Sequence, residues 1–128
     1  MDGEHFKMTE PVGIVFMYDK AVGDVQKVTD KLKPFLTEIV RNLVGSGYIK
    51  GKDEFERIFD GEFVYFSRLA ASDLKKMMSD ESLIANTALD VYKYNTEVEA
   101  NEEVNALHYP KEESPWGFDL LVAVVYAI

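Results

Sequence analysis

The 128-residue sequence predicts an α+β fold: a four- or five-stranded mixed sheet packed by one long bent helix, at about residues 22–44, and by shorter helices. Three observations predict it. Val25, Val28, Leu32, Phe35, Leu36, Ile39 and Leu43 recur at the spacing of a single helical face. Two short runs, 12–18 and 63–66, are apolar on both alternating sets of positions, as strands covered on both sides must be. The last stretch is apolar at every position beyond Asp119, which suits a central strand at the chain terminus.

Residues 1–10 are polar and are expected to be flexible. Pro11 then opens the first buried strand, and Asp19 and Asp24 are candidate caps for the long helix. Pro34 falls in the middle of that helix, where it removes a backbone donor. It lies opposite Val25 and Leu43, on the wet side, so the helix is expected to bend there without breaking. Two helices meeting at Pro34 is the alternative, although Lys33 would be a poor cap. Gly45-Ser46-Gly47 ends the helix.

Tyr48-Ile49-Lys50 suits a short edge strand, and Asp53 with Glu56 a reciprocal cap for a brief helix through Phe55, Ile58 and Phe59. Asp60-Gly61 marks a turn before a central strand at Phe63–Phe66. Ser72 and Ser79 are candidate caps for two further helices, one through Leu74, Met77 and Met78, the other through Leu83, Ile84, Thr87 and Ala88. Tyr92, Tyr94, Thr96 and Val98 then alternate with Lys93, Asn95, Glu97 and Glu99. That alternation predicts a half-exposed strand, with continuation of the helix as the alternative. Residues 100–107 read as an acidic connector, Pro110–Gly117 as a loop, and 118–128 as the final strand. The order fits a ferredoxin-like arrangement with additions, in one domain spanning 1–128.

Cysteine is absent, which excludes disulfides, thiolate–metal sites and thiol chemistry and favours a reducing compartment. The acidic start is unlike a signal peptide, and the longest apolar run, nine residues, is too short to span a bilayer. A cytoplasmic protein is expected. The formal charge is −9 and is unevenly spread. Residues 1–76 carry 13 acids and 12 bases, whereas residues 77–128 carry 10 acids and only Lys93 and Lys111 as bases. Such a surface repels nucleic acid and anionic lipid and attracts a basic protein.

No catalytic motif stands up. The glycines near 45–51 fail the phosphate-loop pattern at Ser46 and Asp53, and they follow a helix instead of a strand. A dinucleotide motif fails at Lys50. His5 and His108 are the only histidines. An acid–base or metal site of His108 with Glu112, Glu113 and Asp119 can be drawn, but no spacing enforces convergence, so no metal and no cofactor are expected. Adjacent carboxylates such as Glu102-Glu103 suit a solvated face.

The expected function is therefore that of a non-enzymatic interaction protein of the inhibitor, immunity or adaptor kind, with a basic protein as partner. Its predicted surface is Glu97, Glu99, Glu102, Glu103, Glu112 and Glu113, with Trp116 either as an apolar anchor or as a lid closing the core. An edge strand at 92–98 would also offer a route to a homodimer. One alternative is a small-ligand site lined by Tyr65, Tyr92, Tyr94 and Trp116, and a second is a small enzyme using His108 and nearby carboxylates.

Overall fold

The structure, a computed structural model, describes residues 10–97, 99–100 and 102–127. Strand β1 (Pro11–Asp19) leads into a 3-10 turn at Lys20–Val22. Helices α1 (Val25–Leu32), α2 (Leu36–Gly45) and α3 (Lys52–Asp60) follow, then strand β2 (Val64–Leu69). Helices α4 (Ala71–Ser79) and α5 (Glu81–Thr96) precede the hairpin of β3 (Val104–Tyr109) and β4 (Leu120–Tyr126). The sheet order is β2-β1-β4-β3, with β1 parallel to β2 and antiparallel to β4, and β4 antiparallel to β3.

The α+β class and the four-stranded mixed sheet are as the sequence predicts. The two inner strands are those richest in apolar residues. All seven residues of β4 are buried, and Ile14–Tyr18 of β1 are at most 2% exposed. Each large side chain so buried stabilises the fold by about 1.5–3 kcal/mol. Both faces are covered. Ile14, Phe16, Tyr18, Leu120, Val122 and Val124 pack beneath α1–α3, whereas Val15, Met17, Leu121, Ala123 and Val125 pack beneath α4 and α5. One close approach requires glycine: a Cβ on Gly13 would lie 2.5 Å from Cε1 of Tyr92, whose ring presses on β1 from α5.

Several element expectations are corrected. The helical path over 25–45 is divided at Pro34, which sits in a 3-10 turn, Lys33–Phe35, between α1 and α2. Val28, Leu32, Ile39 and Leu43 still share one buried stripe across the break, and Pro34 faces water. Residues 92–96 belong to α5, because Ile84, Ala88 and Tyr92 continue a helical stripe that outweighs the two-residue alternation. Residues 104–109 are a strand, not a connector. Strand β2 lies at an edge, not the centre, and Tyr48-Ile49-Lys50 is a bent segment outside the sheet. The arrangement is not ferredoxin-like: the hairpin falls at the end of the chain, β1 and β2 are parallel neighbours, and helices cover both faces. The caps also shift. Asp24 caps α1 as expected, but Gly51, Ala70 and Asp80 hold the positions expected of Asp53, Ser72 and Ser79. The flexibility expected of residues 1–10 falls, except for Glu10, outside the described residues, as do His5 and Val98.

Candidate interaction surface

Strands β1, β2 and β3 run in one direction, so their amino ends share one end of the sheet. Glu10 immediately precedes β1, and its carbonyl accepts a hydrogen bond from the Ala127 N–H at 2.8 Å, just beyond β4. Glu62 stands two residues before β2. Helix α5 ends at the same place: the Tyr92 ring meets Gly13 and lies edge-on to Tyr65 with centroids 5.8 Å apart. The chain then crosses to β3, with Ala100 packed in the core on the α4–α5 side at 5% exposure. That crossing carries Glu97, Glu99, Glu102 and Glu103, all exposed, as are Glu10 and Glu62.

Topology thus gathers six glutamates from three separated parts of the chain. Tyr126 reports on the same end. Its phenol is pushed above the ordinary tyrosine value, first by burial, with the carboxylates of Glu103 and Glu54 acting in the same direction and a hydrogen bond from Asn105 opposing them. Two of the six glutamates, Glu62 and Glu97, have φ of 62° and 55°, the only positive values outside glycine among the described residues. Glu97 is the left-handed C-cap of α5, with its N–H donating to the Lys93 carbonyl at 2.9 Å.

The remaining predicted residues lie elsewhere. Glu112 and Glu113 are exposed, but they sit in the loop after β3, across a six-residue strand from Glu102 and Glu103. That span is roughly 17–20 Å, so the expected acidic surface splits in two. Trp116 is 7% exposed. Its ring packs edge-on to Phe35 and Tyr109, at 5.7 and 4.9 Å, and its Nε1–H donates to the Phe118 carbonyl at 3.1 Å. It closes the core beneath α1–α3 and presents no exposed anchor.

The aromatic pocket is not assembled either. Tyr65 and Tyr92 lie on the α4–α5 face, Trp116 on the opposite face, and Tyr94 projects into solvent at 87% exposure. His108 lies on the α5 side of β3, lining a recess with Glu81 and Ile84, while the Asp119 carboxylate accepts the Lys111 N–H at 2.7 Å. Among the described residues no group of three or more His, Asp or Glu side chains is placed to hold a metal ion. No described helix is long and apolar enough to cross a membrane.

Sequence reasoning missed Glu10, Glu62 and one further feature. An open apolar channel of about 740 Å³ runs between α2 and α3, floored by Leu36, Val40 and Phe55. A separate small recess of about 40 Å³ adjoins it, sharing Leu36, Phe55 and Phe59 as walls and reaching Val64 and Phe66 of β2. The signal was present: Leu36, Val40 and Val44 form a second apolar stripe on α2 beside the buried Ile39 and Leu43. No family model, curated protein or solved structure matches this chain.

Proposed function

We propose that this chain is a non-enzymatic interaction protein, of the inhibitor or adaptor kind, that binds a basic protein through the glutamate rim at the amino ends of β1, β2 and β3. The observation that carries the reading is the gathering of Glu10, Glu62, Glu97, Glu99, Glu102 and Glu103 at one end of the sheet. Backbone strain adds support. Glycine is the usual tenant of a left-handed position, and retaining a carboxylate at two such sites costs on the order of 1 kcal/mol each, a cost seen most often where a surface has a task. Absence of cysteine suits a reducing, intracellular setting.

Exposed charges of this kind act chiefly on the association rate, by steering the partner before contact. With the partner recovered by affinity capture, the association rate should fall roughly tenfold or more as salt is raised from low to high. A Glu97→Gln/Glu99→Gln/Glu102→Gln variant should associate more slowly at low salt and depend less on salt. A rate that is insensitive to salt and identical in the variant overturns the proposal.

A further inference from the structure

We propose that the free edge of β2, with the apolar channel beside it, is the docking surface for a second copy of this chain, forming a two-fold dimer with a continuous eight-stranded sheet. The inference shares only Glu62 with the glutamate rim and otherwise rests on different residues. Ile14 N–H donates to the Phe63 carbonyl at 2.9 Å and Ile14 lies opposite Val64. In a parallel ladder that register turns the main-chain groups of Phe63, Tyr65 and Ser67 toward β1 and those of Val64, Phe66 and Arg68 outward. Strand β2 pairs with no other described strand. It carries neither proline nor lysine nor a bulge, and Arg68 is its one charge, so the usual devices that blunt an edge are few. Apolar side chains crowd the same flank: Phe59 and Phe63 are 44% and 39% exposed, and Val44, at the far end of the channel, is 37% exposed. Exposed apolar groups gathered beside an open edge mark an association surface.

Charge selects a second copy as the occupant. A chain of net charge −9 repels itself over most of its surface. The channel mouth carries both signs in equal number, with Arg41 from α2 and Lys52, Glu56 and Asp60 from α3. Antiparallel pairing of β2 with itself about Phe66 sets Arg68 of each copy opposite Val64 of the other, two residues from Glu62. Opposite charges therefore meet at both ends of the shared ladder, as a self-complementary interface requires. Edge strand β3 fails the same test. Glu102 and Glu103 precede it and Glu112 and Glu113 follow it, so antiparallel self-pairing would set acids against acids.

Light scattering and sedimentation of the whole chain across ~1–100 µM should show a species of twice the 14.6 kDa chain mass that dissociates on dilution. Arg68→Pro removes an outward N–H and the guanidinium at the ladder end without touching a bond to β1, and should raise the dimer dissociation constant at least about tenfold, leaving the circular dichroism unchanged. Phe63→Asp, at an exposed position, should do the same and decides the matter if Arg68→Pro fails to fold. Glu99→Gln/Glu102→Gln should leave dimerisation unchanged. A parent protein that is monomeric throughout overturns the proposal, and so does a dimer that survives Arg68→Pro and Phe63→Asp. A monomer whose channel binds anilinonaphthalene sulfonate, with binding lost in Phe59→Asp, assigns the channel to a small apolar ligand and overturns it equally.

Discussion

At Glu62 and Glu97 the backbone enters the left-handed region, with φ of 62° and 55°. A β-carbon there crowds the following carbonyl, a cost that glycine escapes, although glycine gives up more chain entropy on folding. Glu62→Gly and Glu97→Gly should each stabilise the fold by about 0.5–1 kcal/mol. If these carboxylates serve association, each variant should also bind the basic partner more slowly. Urea denaturation and stopped-flow association on the same samples check both signs, and a variant that is less stable than the parent contradicts the first. Neither position was legible in the sequence. Glutamate is an ordinary helix or turn residue, and only the folded path of the chain imposes a positive φ on it. Asp24 was legible, because a short acceptor ahead of an apolar stripe has few other uses there.

Among elements, α1 depends on that acceptor. The Lys27 N–H donates to Asp24 Oδ1 at 3.0 Å, satisfying a donor that the first helical turn leaves open. Asp24→Ala should cost about 1 kcal/mol in chemical denaturation, and Asp24→Ser should recover most of it. Helix α5 is capped by Asp80, whose carboxyl is held below the ordinary range by hydrogen bonds from the Ser82 side chain and backbone. A carboxyl depressed on folding contributes above its unfolded pKa and loses that contribution as the pH falls through its folded value, so this cap weakens in acid. The helix–strand ambiguity at 92–98 shows how local pattern misleads. Tyr92, Tyr94 and Thr96 alternate as a strand would, yet Tyr92 is 2% exposed and Tyr94 87%, because residues two apart lie roughly 200° from each other around a helix. Strand β3 stayed illegible for a related reason: every residue from Val104 to Tyr109 is half-buried, so no sharp period marks it.

Over the whole molecule, the sheet separates the acids after residue 76, placing Glu97, Glu99, Glu102 and Glu103 at one end and Glu112 and Glu113 at the other, where Lys20, Arg68 and Lys111 also lie, and this was only half legible. The crowding of acids after residue 76 is plain in the chain, but which of them meet depends on strand direction, which no local pattern carries. The same sheet buries phenols. Tyr18, Tyr109 and Tyr126 are all pushed above the ordinary tyrosine value, chiefly by burial. A phenol whose folded pKa is raised gives its full stabilisation below pH ~10 and loses it as the pH climbs past the unfolded value toward the folded one. Ionisation adds negative charge to a chain already at −9, so self-repulsion acts in the same direction. The urea midpoint should therefore hold steady near neutrality and fall steeply above pH ~10. Tyr18 separates burial from hydrogen bonding. It is fully buried and its hydroxyl finds no hydrogen-bond partner among the described residues, whereas Tyr109 accepts from Asn42 and Tyr126 both accepts from Asn105 and donates to the Tyr48 carbonyl. Tyr18→Phe removes an unpaired polar group at little cost in volume, so it should stabilise the fold at pH 8 by about 1 kcal/mol and flatten the alkaline loss. Tyr126→Phe breaks two hydrogen bonds and should destabilise at pH 8 while also flattening the alkaline loss. An alkaline slope unchanged in both variants would mean that the buried phenols do not govern the transition.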